Sequence, residues 1–220
     1  MKSILKWAAF LILLLCPALA ARADVSINEI MASNGTYQNG HAYDWVELYN
    51  DGKKSVDLSG CYLSDSPKNP KKWAFPDKTV LKAGQYLLVY CTGEEMAPGK
   101  NGVYYANFKL SASGDQVVLT AKDGQETLSM VEFPVQYGNI SYGLGVKDKA
   151  WGYMEQATPK VKNDAHAFSA RAEAPALEIP GGFYDVAVTV KAAAAPGTAL
   201  RYTLNGAEPT ENRSASRRTG

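Results

Sequence analysis

The residues best equipped for chemistry gather in one basic stretch. Lys68, Lys71, Lys72, Lys78 and Lys82 surround Trp73, Phe75 and Asp77, a mixture of ammonium groups and aromatic rings able to hold a polyanion or a sugar ring. Against that stands ordinary packing: surface lysines are common, and an aromatic side chain in an alternating strand usually faces the core. Packing is the stronger reading, with Lys68, Lys71, Lys72 and Trp73 as the candidate ligand-binding set. A second group is acidic. Glu29, Asp44, Glu47, Asp51 and Asp65 lie near strand starts and loops. Calcium takes about six to eight oxygen ligands, but no Asp-x-Asp-x-Asp loop is present, so these carboxylates are expected to partner turn N–H groups and lysines. His41 sits in a Gly-rich turn and His166 in an Ala-rich stretch, and neither has a neighbour suited to fixing a Ser–His–Asp arrangement. Zinc needs more His or Cys at ligand spacing. Tyr142-Gly143-Leu144-Gly145 lacks the third glycine and the helix of a dinucleotide loop, and reads instead as a strand approached closely by other backbone. No catalytic residue, cofactor or metal is expected.

The elements that must position these residues are strands. Short apolar-alternating runs cover 25–31, 45–49, 60–63, 72–75, 86–91, 104–110, 117–121, 127–133, 141–146 and 151–155, separated by Gly, Pro, Asn and Asp. Asp123-Gly124 between two such runs predicts a hairpin, because both turn positions require positive φ. Apolar spacing of helical period does not persist beyond the N-terminal segment. Frequent strands without helices indicate an all-β sandwich or barrel. From 164 to 174 the composition turns to Ala, Ser and charge, which reads as a linker. Strand character returns at 183–190 and 200–204, and the Arg-rich stretch 213–220 reads as a disordered tail.

The first twenty-three residues read as an export leader. Lys2 and Lys6 precede an apolar run from Trp7 to Leu15, and small residues offer cleavage after Ala20 or Ala23. The run is well short of the ~20 residues that span a bilayer, so no transmembrane anchor is expected after cleavage. Leu15 before Cys16 argues against lipid modification of that cysteine. Loss of Lys2, Lys6 and Arg22 reduces the 23 basic residues to 20 against 22 acids, moving the net charge from +1 to −2. Neither value suits a nucleic-acid or membrane-surface protein. Cys61 and Cys91 remain, in strands whose apolar partners turn both sulfurs inward. A disulfide between them and two free buried thiols are left equally open.

Several separated motifs agree in order with a known family. Residues 27–50 (INEIMASNG…DWVELYN), 58–65 (LSGCYLSD), 73–76 (WAFP), 81–93 (LKAGQYLLVYCTG) and 107–119 (NFKLSASGDQVVL) resemble the lamin tail domain, especially its bacterial secreted branch. Cys61 departs from the pattern, which more often has an aromatic residue there. The resemblance implies an immunoglobulin-like β-sandwich over 24–163, in agreement with the strand pattern. Residues 180–210 (PGGFYDVAVTVKAAAAPGTALRYTLNGAEPT) resemble the start of a chitobiase/beta-hexosaminidase C-terminal-like, fibronectin-associated module. That implies a short, incomplete second β module over 175–212.

These readings converge on a secreted, non-catalytic binding or scaffolding module, with a cell-surface protein or polysaccharide as partner. The alternative is the N-terminal accessory region of an interrupted CotH-type kinase family protein, since such module pairs often precede that kinase.

Overall fold

The computed structural model describes residues 24–36, 40–99, 102–164, 166–196, 198–207 and 209. The expected leader and the Arg-rich tail lie outside the described residues. Twelve strands make up the main body: β1 (Val25–Met31), β2 (Asp44–Asn50), β3 (Val56–Asp57), β4 (Tyr62–Ser64), β5 (Trp73–Ala74), β6 (Val80–Leu81), β7 (Tyr86–Cys91), β8 (Tyr104–Ala106), β9 (Asp115–Thr120), β10 (Thr127–Phe133), β11 (Tyr142–Leu144) and β12 (Trp151–Tyr153). One sheet has the order β12-β11-β1-β2-β7-β8 and the other β10-β9-β4-β5, with β3 and β6 paired separately. Pairing in both sheets is antiparallel except for β7 with β8, which run parallel. The protein is an all-β, immunoglobulin-like sandwich.

The core lies between the two sheets and follows from alternation. Ile27 and Ile30 of β1, Val46 and Leu48 of β2, and Leu87 and Val89 of β7 meet Leu63, Val117, Leu119, Val131 and Phe133 of the other sheet. Each such side chain contributes ~1.5–3 kcal/mol when fully buried. β1 breaks strict alternation: a bulge shifts the register between Ile27 and Glu29. The extra residue lets Ile27 and Ile30, three apart, both face inward, while Glu29 lies opposite Glu47. Ser129 Oγ of β10 accepts the Ile27 N–H at 3.1 Å, tying the bulge to the opposite sheet.

The β9–β10 hairpin forms where Asp123-Gly124 predicts it. Asp123 Oδ1 accepts the N–H groups of Gln125 and Glu126 at 2.8 and 3.1 Å; of the two turn positions only Gly124 has positive φ, +70, and Asp123 does not. Cys61 and Cys91 face the core as expected, both buried, but they are free thiols and not a bonded pair. Cys61 precedes β4 near Asp57, Lys122 and Asp123, whereas Cys91 ends β7 near Asp44, Asp65 and Asp115. They therefore sit towards opposite ends of β4, and a bond requires Cα atoms ~4.4–6.8 Å apart.

The C-terminal stretch departs from expectation. Strands at 183–190 and 200–204 are absent among the described residues; the ladder there joins only β13 (Ala176–Leu177) to β14 (Ala192–Ala193). Among the described residues no second layer covers the apolar side chains: Phe183, Val186 and Leu204 are all exposed. Alternation alone cannot hold a strand without a surface to bury against. The stretch read as a linker is partly docked, because Phe168 and Tyr153 exchange backbone hydrogen bonds at 2.9 Å.

Candidate functional site

The basic stretch is divided by the fold. β5 pairs with β4 so that Trp73 lies opposite Leu63. This turns the indole into the core, where it is 7% exposed and meets Phe75 edge-on at 4.7 Å. Trp73 is thus removed from the candidate ligand set. Lys72 pairs with Asp65, and Lys71 lies over the Tyr62 ring, 5.8 Å from its centre. Lys71 and Lys72 share an open hollow with Asp65, Asn69, Asn107 and Lys109, and Lys68 is not part of its lining. The acidic set also separates. Asp65 serves Lys72, Asp44 accepts the Asn34 N–H at 3.1 Å, and Glu29 and Glu47 are buried on the other face of their sheet from the core.

Those two glutamates form the most constrained polar group in the molecule. They face each other across β1 and β2, each fully buried, beneath residues 157–163, a strap crossing the outer side of the six-stranded sheet. Glu29 accepts from the Ser141 hydroxyl, from Thr158 N–H at 2.9 Å and from Thr158 Oγ1 at 2.7 Å. Glu47 accepts from Asn28 Nδ2 at 2.9 Å and from the Lys160 N–H. Asn163 closes the network: its Nδ2 donates to the carbonyls of Asn28 and Leu144 at 3.0 and 3.2 Å, and its Oδ1 accepts from Asn28 Nδ2 at 2.7 Å. Burial raises both carboxyls above their ordinary range, against the lowering effect of these hydrogen bonds, and takes Glu47 to about 7. The site is buried and donates to both carboxyls. It is a clamp for the strap.

Gly143 of β11 is what lets the strap sit so low. A Cβ there would lie 2.9 Å from the side-chain atoms Asn163 Nδ2 and Met154 Cε; the close backbone approach that Tyr142-Gly143-Leu144-Gly145 predicts occurs at Gly145, where a Cβ would lie 3.0 Å from Ala167 N. The clamp itself went unread in the sequence. Its signal was a glutamate inside each of two apolar strand runs, INEI and DWVEL.

The family model described as Lamin Tail Domain matches residues 18–134, more than half of the 220-residue chain. The chain belongs to the lamin tail domain family. A search of curated proteins gave no match. The matched stretch includes β1 to β10, so this lamin tail domain carries both clamp acceptors within the family pattern, while Ser141, Thr158, Lys160 and Asn163 lie beyond it.

On the outer sheet face of the lamin tail domain, hollows lie on either side of the strap. One, about 390 Å³, is lined by Ser26, Tyr49, Tyr86, Lys149 and Lys162 among others. The other is a cleft of about 220 Å³ walled by His41, Tyr43, Tyr90 and Tyr105, with Asn34, Thr36 and Lys160 as its polar margin. His41 stacks on Tyr43 at 4.9 Å and 5°, Tyr43 meets Tyr90 at 6.4 Å, and Tyr90 stacks on Tyr105 at 6.1 Å. The rings support one another and hold a fixed wall. The other histidine, His166, is 3.5 Å from Asp148, in a different part of the chain.

Proposed function

We propose that this lamin tail domain is an exported, non-catalytic binding module that holds a saccharide of the cell surface in the cleft walled by Tyr43, Tyr90 and Tyr105. The aromatic wall is the observation that carries this reading. A sugar ring has a face of C–H groups that packs on the electron-rich face of a tyrosine, and its hydroxyls seek amide and hydroxyl partners such as Asn34 and Thr36 at the margin. Nucleobases stack in the same way, but single-stranded nucleic acid also requires a basic track along its phosphates, and the chain has a formal net charge of +1. A lysine-lined hollow elsewhere, at Lys71 and Lys72, has lost its indole to the core and is partly neutralised by Asp65. Export is supported by the basic and apolar leader pattern. The test is retention of the full chain on insoluble polysaccharides and on a glycan array. Wild type is expected to be retained, and Tyr43→Ala and Tyr90→Ala to weaken retention. Undiminished retention of both variants would remove the cleft from the assignment.

A further inference from the structure

Lys160 combines three features found in no other residue of the clamp. Its backbone N–H is held by Glu47, its φ is +65, and it lines the aromatic cleft. Lys78 and Lys149 also have left-handed φ, 64 and 55, so the place of Lys160 at the cleft is the informative feature. An unbranched side chain in the left-handed region is strained, and the surrounding structure must hold it there; glycine would occupy the same place freely. The strap pins this backbone from both sides, through Thr158 on Glu29 and Lys160 on Glu47. The root of this long cationic side chain is thereby fixed beside the cleft. Lys160 is exposed; its charge acts on the Glu47 carboxyl, lowering it, but at no ion-pair distance among the described residues. It also borders the neighbouring groove with Lys82 and Tyr86, so it stands on a ridge between two hollows.

We infer that Lys160 makes the cleft selective for acidic sugars, its ammonium pairing with a carboxylate carried by a ring stacked on the tyrosine wall. This rests on the saccharide reading of the same cleft. The chemistry is limited by what lines it: one ammonium suits one carboxylate, a wall of three tyrosines and a histidine suits one ring, and the volume of about 220 Å³ lies under the ~300–1,000 Å³ of most small-molecule pockets. Glu29 and Glu47 are positioning residues here, since they touch the strap backbone and not the ligand. A charge-assisted hydrogen bond between ammonium and carboxylate provides the discrimination.

The experiment is calorimetric titration of the full chain with a short glucuronate-containing oligosaccharide and with its carboxyl-reduced, glucose-containing counterpart. Wild type is expected to bind the acidic form roughly tenfold tighter, or ~1.4 kcal/mol. Lys160→Arg should keep the preference, while Lys160→Gln and Lys160→Gly should bring the ratio of the two affinities close to one. Lys160→Gly relieves the left-handed backbone, so its thermal midpoint should not fall, and loss of the preference in that variant cannot come from unfolding. Equal binding of both sugars by wild type, or a preference that survives in Lys160→Gln, overturns the role of Lys160 and leaves the saccharide site standing. Binding of neither sugar overturns both readings.

Discussion

Glu47 gives stability a pH dependence opposite to that of most carboxylates. Its carboxyl is raised from 4.5 to about 7, chiefly by burial. The stabilising contribution is therefore fully present below the unfolded value and is lost as pH rises through about 7. Ionising it inside the fold costs ~3 kcal/mol by linkage, and the adjacent Glu29, also raised, opposes a second negative charge. Asp57, Asp123 and Asp148 act in the other direction. Their carboxyls are lowered by local hydrogen bonds, so their contribution is lost in acid. Chemical denaturation of the full chain across about pH 5–9 should show stability declining on the alkaline side, and Glu47→Gln should flatten that decline. An unchanged slope in the variant would assign the titration elsewhere. The thiols make a second expectation: burial raises both, Cys91 most. Alkylating reagent should label Cys61 and Cys91 slowly in native protein and rapidly after denaturation, with no reductant needed. Rapid native labelling would contradict their burial. At this scale the sequence was readable where side chains alternate, as with the inward cysteines, and misleading where two roles compete, as with Trp73. An aromatic residue next to three lysines looks the same in sequence whether its ring faces ligand or core; pairing with Leu63 decides it.

At the level of elements, the strap is the part whose stability rests on polar contacts and not on apolar burial. Asn163 is buried and its amide serves two backbone carbonyls and the Asn28 side chain. Asn163→Ala leaves these groups unsatisfied and should destabilise by ~2–3 kcal/mol in urea titration, with hydrogen exchange accelerating first over 157–163. Gly143→Ala should act at the same place through steric pressure on Asn163. Loss of protection spread evenly over the sandwich would show that the strap is not a separable unit. Most strands could be read from alternation and turn residues, and β1, β7 and β10 coincide with the runs that predicted them. The two-residue strands β3 and β6 could not be read, because a pair that short has no period. The clamp was hidden for another reason. A bulge breaks the period of two in β1, and it joins residues more than a hundred positions apart in the chain, which no local pattern records.

On the scale of the whole molecule, one sandwich carries the buried core and the region beyond it is largely exposed. Limited trypsin digestion of the full chain should cut at Arg171, which is exposed, and leave a resistant fragment reaching to about Phe168, whose backbone pairs with β12. Early cuts within 86–133 would contradict this. The full chain should show no phosphoryl-transfer, nuclease or glycosidase activity above background; a rate abolished by His41→Ala or Glu47→Ala would make it an enzyme. The sandwich was legible in sequence because its strands recur between turn residues, and the second module misled because alternation at 183–190 has no layer to bury against. The placement of β1 between β2 and β11 has a kinetic consequence. In a chain synthesised from its N-terminus, β1 emerges first, yet one of its edges waits for Tyr142, and the paired glutamates wait for residues 158–160. Closing contacts across such separations is slow. Until residues 142–143 arrive, β1 presents a bare edge, the feature through which an unfinished sheet pairs with a neighbouring chain in place of its own.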